Sequence, residues 1–294
     1  MNDSALPFTG ERFTPECVRE IWYEHWHRYA FARPLVAGKR VLDAACGEGY
    51  GSALLAGAAA SVTGVDIDPV SVAHASARYS GISNLRYECA DAVALPFAER
   101  SFDLVASFET LEHLDAQEEL IAGFARVLAD DGMLVVSSPD KHVYSELAGF
   151  RNEFHVRELY RQEFIDLLTG HFPHVRLYGQ KLLFQSAIWP VDGSGGVPQA
   201  TTAHEGGARL DQGLDYAPMY FIAVCARQEL PEELPGLSLF GDGEESVYAH
   251  YNHEIRKNMA AGQRIAELEA ELAQLRVAAE SGPDRRWWRR KPSR

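Results

Sequence analysis

The sequence predicts an α/β domain on a largely parallel sheet, with helices on both faces and a separate C-terminal helix. Three observations carry that expectation. Short strand-like runs at 41–45, 62–67, 85–89, 104–108 and 133–137, most of them apolar, alternate with helical or loop segments, the pattern that buries parallel strands. The first run passes through Gly47, Gly49 and Gly51 into a helical pattern, so a strand turns tightly into a helix. The second run ends in an acid, Asp66, about twenty residues after the first.

Taken in order, 16–36 is a helical stretch in which Trp22, Tyr23, Trp26, Tyr29 and Phe31 interleave with Glu24, His25, His27 and Arg28, and its aromatics read mainly as packing. The strand–helix alternation follows, with two more strands at 175–178 and 219–226. Between these two lies a long polar insertion, 190–198 with Gly206, Gly207 and Gly213 beyond it, which reads either as a substrate lid or as a passive loop. A main domain therefore spans 1–228. Pro231 and Pro235 among acids mark a linker at 229–243. Residues 244–280 lack proline and repeat Ile265, Leu268, Leu272 and Leu275 at spacings of three and four, a helix that pairs with a second copy as a coiled coil or docks on its own domain. The tail at 281–294 places Trp287 and Trp288 among arginines, a pattern suited to anionic headgroups or to a solvated end.

Composition narrows the function classes. A formal charge of −14 over 294 residues argues against a nucleic-acid-binding body, because phosphate neutralisation needs Lys and Arg on the contacting face. The four cysteines, Cys17, Cys46, Cys89 and Cys225, show no paired spacing and read as reduced, mostly buried thiols. No apolar run approaches a membrane span and the first residues lack a basic start, so the expected location is the cytoplasm, with the basic tail as a peripheral contact on the inner membrane face.

Asp66 at a strand end is placed to accept from both hydroxyls of a ribose, since Asp68 before Pro69 fits the helix cap and leaves Asp66 for a ligand. Asp43 before the turn and Glu48 inside it are two acids that repel phosphate and suit a cofactor with a cationic amino-acid portion. The run 43–51, D-A-A-C-G-E-G-Y-G, resembles the first motif of the class I S-adenosylmethionine-dependent methyltransferases. Asp91-Ala92, 101–108 and 130–137 extend the resemblance over about 10–226. It implies a Rossmann-like sheet of seven strands ending in an antiparallel pair, S-adenosylmethionine as cofactor, and a cofactor site of Asp43, Ala45, Cys46, Gly47, Gly49, Asp66, Ile67, Asp91, Ala92 and Phe108. In that site Asp43 and the glycine backbone hold the methionine portion, Asp66 the ribose, and Asp91 with Ala92 the adenine, with Phe108 packed nearby.

After the fourth strand, Glu109, Glu112 and His113 are spaced to share one face of a helical turn, where two carboxylates repel unless a cation or protons intervene. The string resembles the E-x-x-E-H element of ubiquinone-pathway catechol O-methyltransferases and of small-RNA 2′-O-methyltransferases, and His155 matches the second histidine of the latter. That implies a divalent metal, Mg, Mn, Co or Zn, on Glu109, Glu112, His113 and His155. The segments 8–16, 24–29 and 152–158 resemble bacterial methyltransferases of surface-polysaccharide and glycan biosynthesis, which implies a sugar hydroxyl as acceptor. Two rivals stay open: a metal-free small-molecule methyltransferase with His113 as general base, and a non-catalytic scaffold acting through its C-terminal helix.

Overall fold

The structure is a computed structural model and describes residues 20–194 and 196–280. The expectations for Cys17, for 8–16 and for the tail with Trp287 and Trp288 lie outside those residues.

Seven strands form one sheet: β1 (Arg40–Ala44), β2 (Ser61–Asp66), β3 (Leu85–Cys89), β4 (Phe102–Ser107), β5 (Leu128–Pro139), β6 (His174–Gln180) and β9 (Tyr220–Ala226). Their order is β3-β2-β1-β4-β5-β9-β6, parallel except for β9, which runs antiparallel to both of its neighbours. Helices α1 (Glu20–Ala32), α2 (Tyr50–Ala56), α3 (Pro69–Arg78), α4 (Gln117–Val127) and α5 (Arg161–Thr169) surround it.

The central strands are largely apolar because the sheet is buried on both faces there, the edge strands β3 and β6 are more polar, and alternate residues divide between two cores. Leu42, Val105, Leu134, Val136, Phe221 and Ala223 point to α4 and α5, against Leu120, Phe124, Phe164 and Leu168. Val41, Leu104, Ala106, Met133, Val135 and Val224 point to the opposite face, against Tyr29 and Phe31 of α1 and Leu55 of α2.

The structure adds detail to three expectations. The insertion holds a two-stranded hairpin, β7 (Thr201–His204) and β8 (Arg209–Gln212), closed by Gly206 and Gly207, both at positive φ. The segment 229–241, expected as a linker, belongs to the first compact unit, Met1–Gly241: Leu234 is buried, and Phe240 stacks on His27 and packs against Trp22. Cys89 is exposed, unlike Cys46 and Cys225. The second unit, Asp242–Arg294, contains the long helix α6 (Ser246–Glu280). Among the described residues no helix is long and apolar enough to cross a membrane.

Candidate cofactor and acceptor site

The chain leaves β1 toward β2 on one side and β4 toward β5 on the other, so the crevice beyond the ends of β1 and β4 is the topological switch point where such sheets bind ligands. Both exits are strained. Ala45, directly after β1, has φ 59°, and Glu109, two residues after β4, has φ 50°. Left-handed backbone at a non-glycine residue costs roughly 1–3 kcal/mol and persists where surrounding structure holds it. Here both residues line one cavity of about 940 Å³.

On the β1–β3 side, Gly49 at φ 93° caps α2, and a Cβ there would lie 2.7 Å from the Tyr87 hydroxyl and 2.8 Å from Ala75 Cβ. Asp66 accepts from the Gly47 N–H at 2.8 Å and from the Asp68 N–H at 2.9 Å, so its carboxylate shapes the turn as well as facing the cavity. Asp68 caps α3 through the N–H groups of Val70 and Ser71. Asp91 accepts from the Val93 N–H and lines the cavity beside Ala92.

Four readings of this turn change. Asp43 is fully buried and does not line the cavity; it accepts from the Ser52 and Tyr29 hydroxyls, and burial pushes its pKa up to about 7. Gly49 likewise supports the turn rather than lining the cavity. Glu48 points under α3, where Arg78 (3.2 Å), His74 (3.0 Å) and the Tyr79 hydroxyl hold it, so its charge is compensated and does not repel a phosphate. Gly51 lies inside α2 because the Tyr29 ring occupies the space of its missing Cβ.

On the β4–β5 side, residues 109–113 do not form the expected α-helical face. Only Leu111–His113 make a short 3₁₀ turn. The Glu112 carbonyl accepts from the N–H groups of Val156 and Arg157, which brings the segment carrying His155 alongside. Ligating atoms of Glu112, His113 and His155 consequently lie within 4.8 Å of one another. Glu109 stands outside that group: Ser137 on β5 donates to its carboxylate at 2.6 Å, and the buried Arg28 guanidinium is 3.5 Å away.

Glu112 is the anomaly of the site. It is 1% exposed, and neither carboxylate oxygen accepts a hydrogen bond. Burial, and then the Glu109 charge, hold its pKa well above the usual carboxylate range. The imidazoles beside it are oriented: His113 Nδ1 donates to the Phe154 carbonyl at 3.0 Å, and His155 Nδ1 pairs with Glu158 at 2.6 Å, contacts that make each Nε2 the lone-pair nitrogen. His155 Nε2 already accepts from the Asn152 amide at 3.0 Å.

Of the residues named from the sequence, Ala45, Cys46, Gly47, Asp66, Ile67, Asp91, Ala92, Phe108, Glu109, Glu112, His113 and His155 line the cavity. Sequence reasoning missed Tyr144, which stacks on His155, and Tyr220, whose ring lies 4.4 Å from the Arg28 guanidinium. It also missed the role of α1, whose Arg28 donates to Gln180 and faces Glu109. A lone arginine among the buried aromatics of 22–31 was the available signal.

Residues 42–136 match a family model described as a methyltransferase domain. A protein of Mycolicibacterium smegmatis named "Probable S-adenosylmethionine-dependent methyltransferase" is 38% identical over 168 residues, which is 56% of this chain and 64% of that protein. A ubiquinone biosynthesis O-methyltransferase of Burkholderia orbicola is 34% identical over 115 residues, 38% of this chain and 49% of that protein. The chain thus spans less than two thirds of the length of either relative. Among solved structures, the YcgJ protein of Bacillus subtilis superposes with TM-score 0.50 at 20% identity, over 69% of this chain and all of that one. The fold is the Rossmann-like methyltransferase fold with an added C-terminal helix. Within it, 42–136 is the stretch similar to a methyltransferase domain, and the Mycolicibacterium smegmatis relative is named as an S-adenosylmethionine-dependent one.

Proposed function

We propose that the chain is an S-adenosylmethionine-dependent O-methyltransferase whose acceptor hydroxyl sits at Glu112, His113 and His155, with a divalent cation held by those three residues. The observation that carries this reading is Glu112, a buried carboxylate without a hydrogen-bond partner next to two oriented imidazoles on the wall of the cofactor cavity. A buried carboxylate of that kind is costly unless a cation or proton compensates it. One carboxylate and two imidazoles form a mixed O,N set of the kind Mn²⁺, Co²⁺ or Zn²⁺ accept, and Mg²⁺ tolerates.

Methyl transfer is an in-line displacement, so alignment is the first task. The strained turn at Ala45 and the Asp66 carboxylate would fix the sulfonium cofactor beyond β1, and the turn from Glu109 to His113 would fix the acceptor beyond β4. A divalent ion supplies Lewis acidity that lowers the pKa of a bound hydroxyl. His113, oriented by the Phe154 carbonyl at Nδ1, would take the hydroxyl proton at Nε2. Tyr144, Arg151, Asn152 and Glu153 give the acceptor wall a polar lining that suits a polyol. The O-methyltransferase named above supports an oxygen acceptor; a saccharide vicinal diol rests on the sequence resemblance alone.

The hydrogen bond from Asn152 to His155 favours a second reading, in which no metal binds and His113 alone is the base. Thermal unfolding with added Mn²⁺ and labelled-methyl transfer to nucleotide sugars, lipid-linked glycans and catechols separate the two. Mn²⁺ should raise the Tm of the parent and leave Glu112→Gln unmoved, and chelation should abolish transfer without weakening cofactor binding. Full turnover in EDTA on protein verified metal-free would overturn the metal and leave the His113 reading.

A further inference from the structure

The second unit carries a surface that neither the fold nor the proposed chemistry uses. Helix α6 runs for 35 residues, and Ile265, Leu268, Leu272 and Leu275 stand exposed along it. With Ile265 and Leu272 at heptad position a, and Leu268 and Leu275 at d, Arg264 and Glu271 fall at g and Glu269 and Arg276 at e. In two parallel copies each g residue meets the e residue five places further along the partner. Arg264 then faces Glu269, and Glu271 faces Arg276, so both pairs attract. A helix whose flanking charges match those of its own sequence is suited to a second copy of itself. The outward positions beside the stripe carry Ala266, Glu267, Ala270, Ala273, Gln274 and Val277, smaller than the residues of the a and d stripe.

We propose that α6 pairs with α6 of a second copy of this chain as a parallel two-stranded coiled coil centred on Ile265 to Leu275. The same charges would also attract in an antiparallel pair, so orientation rests on the core positions. One heptad upstream, Asn258 occupies a, and a buried Asn at a favours a partner in register with it, as only the parallel pair provides. Ile at a with Leu at d, as at Ile265 and Leu268, also favours two parallel strands. Arg264 now bonds Glu267 on its own helix at 2.9 Å, an exposed pair that can be exchanged for the intermolecular one at little cost. The inference does not depend on the methyltransferase reading.

Sedimentation equilibrium of the full chain tests it. The expected mass is twice the 32.6 kDa of the chain, falling to the monomer on dilution. Leu268→Glu/Leu272→Glu should be monomeric at every concentration, with the melting of the first unit unchanged. Because melting of the helix would give the same readout, Glu271→Arg provides a milder change. It should weaken the dimer several-fold, and Glu271→Arg/Arg276→Glu should restore it. For orientation, Leu275→Cys in a Cys17→Ser/Cys89→Ser background should form a disulfide-linked dimer on mild oxidation. A monomeric parent, a trimer, or a disulfide that forms only when Ile265→Cys and Leu275→Cys chains are mixed would overturn the proposal.

Discussion

The two sides of the sheet beneath and around the cavity treat negative charge in opposite ways. Beyond β1 to β3, Asp43, Glu48, Asp66, Asp68 and Asp91 each accept hydrogen bonds from backbone or hydroxyl donors, so that side is organised from within. Beyond β4 and β5, Glu112 accepts none and Glu109 leans on one serine and a distant guanidinium. Compensated acids build a scaffold, whereas under the proposed function the uncompensated one is where a cation or acceptor from outside would bind.

The largest expected effect breaks this comparison at its most buried acid. The pKa of Asp43 is pushed from 3.8 to about 7 by burial, so the native state holds a proton that the unfolded chain releases. Its contribution is therefore fully present below pH 4 and is lost as pH rises through 7. At about 1.4 kcal/mol per unit, the ionised form costs up to about 4 kcal/mol above neutrality. Asp43→Asn, which mimics the protonated form, should match the parent near pH 4 and unfold at higher denaturant above pH 7. A gap that stays constant with pH would show that hydrogen bonding, not burial, governs this acid.

A second test asks whether the turn is set by packing. In Gly51→Ala the new methyl would lie 2.0 Å from the Tyr29 ring, whose hydroxyl bonds Asp43. We expect about 3 kcal/mol of lost stability in chemical denaturation, the upper range for overpacking. Tyr29→Phe should cost less, because it removes the hydroxyl and keeps the ring. Equal losses would place the energy in the hydrogen bond.

Much of this arrangement was legible in the sequence, and the remainder was hidden for physical reasons. The central strands could be read because a doubly covered sheet needs near-continuous apolar runs, whereas edge strand Leu85–Cys89, with Arg86 and Glu88 in it, was read from its place in the strand–helix alternation. The hairpin at 201–212 was hidden by its glycines, which read as loop until two turn residues are seen joining two strands. The roles of Glu48 and Asp43 were misread because a sequence shows an acid without its partners, here Arg78 and Tyr29, thirty and fourteen positions away. Glu109 was grouped with Glu112 on helical spacing, yet its left-handed backbone turns it toward Ser137.

The third expected effect concerns the ligand. Asp66 both pins the Gly47 N–H and faces the cavity, so Asp66→Ala should weaken S-adenosylmethionine binding by about 2 kcal/mol, some thirtyfold, in titration calorimetry. Unchanged affinity in the folded variant would make Asp66 a turn residue only and erase the distinction between scaffold and ligand contacts beyond β2.

The smallest effect sharpens that distinction two residues away. Asp68 also borders the cavity, but its carboxylate receives the N–H groups of Val70 and Ser71 and the Ser71 hydroxyl at 2.6 Å. With Pro69 fixing the first helical residue, the carboxylate completes the N-terminus of α3, where a side-chain cap is worth about 1 kcal/mol. Asp68→Ala should therefore lower stability by about that amount, and Asp68→Ser should recover most of it, while cofactor affinity stays within twofold of the parent. The same two acids would then separate cleanly, one read by calorimetry with ligand and the other by denaturation without it. If Asp68→Ala lost as much affinity as Asp66→Ala, the acids beyond β2 would act as one ligand-binding pair, and the internal compensation that sets this side apart would not extend to the rim of the cavity.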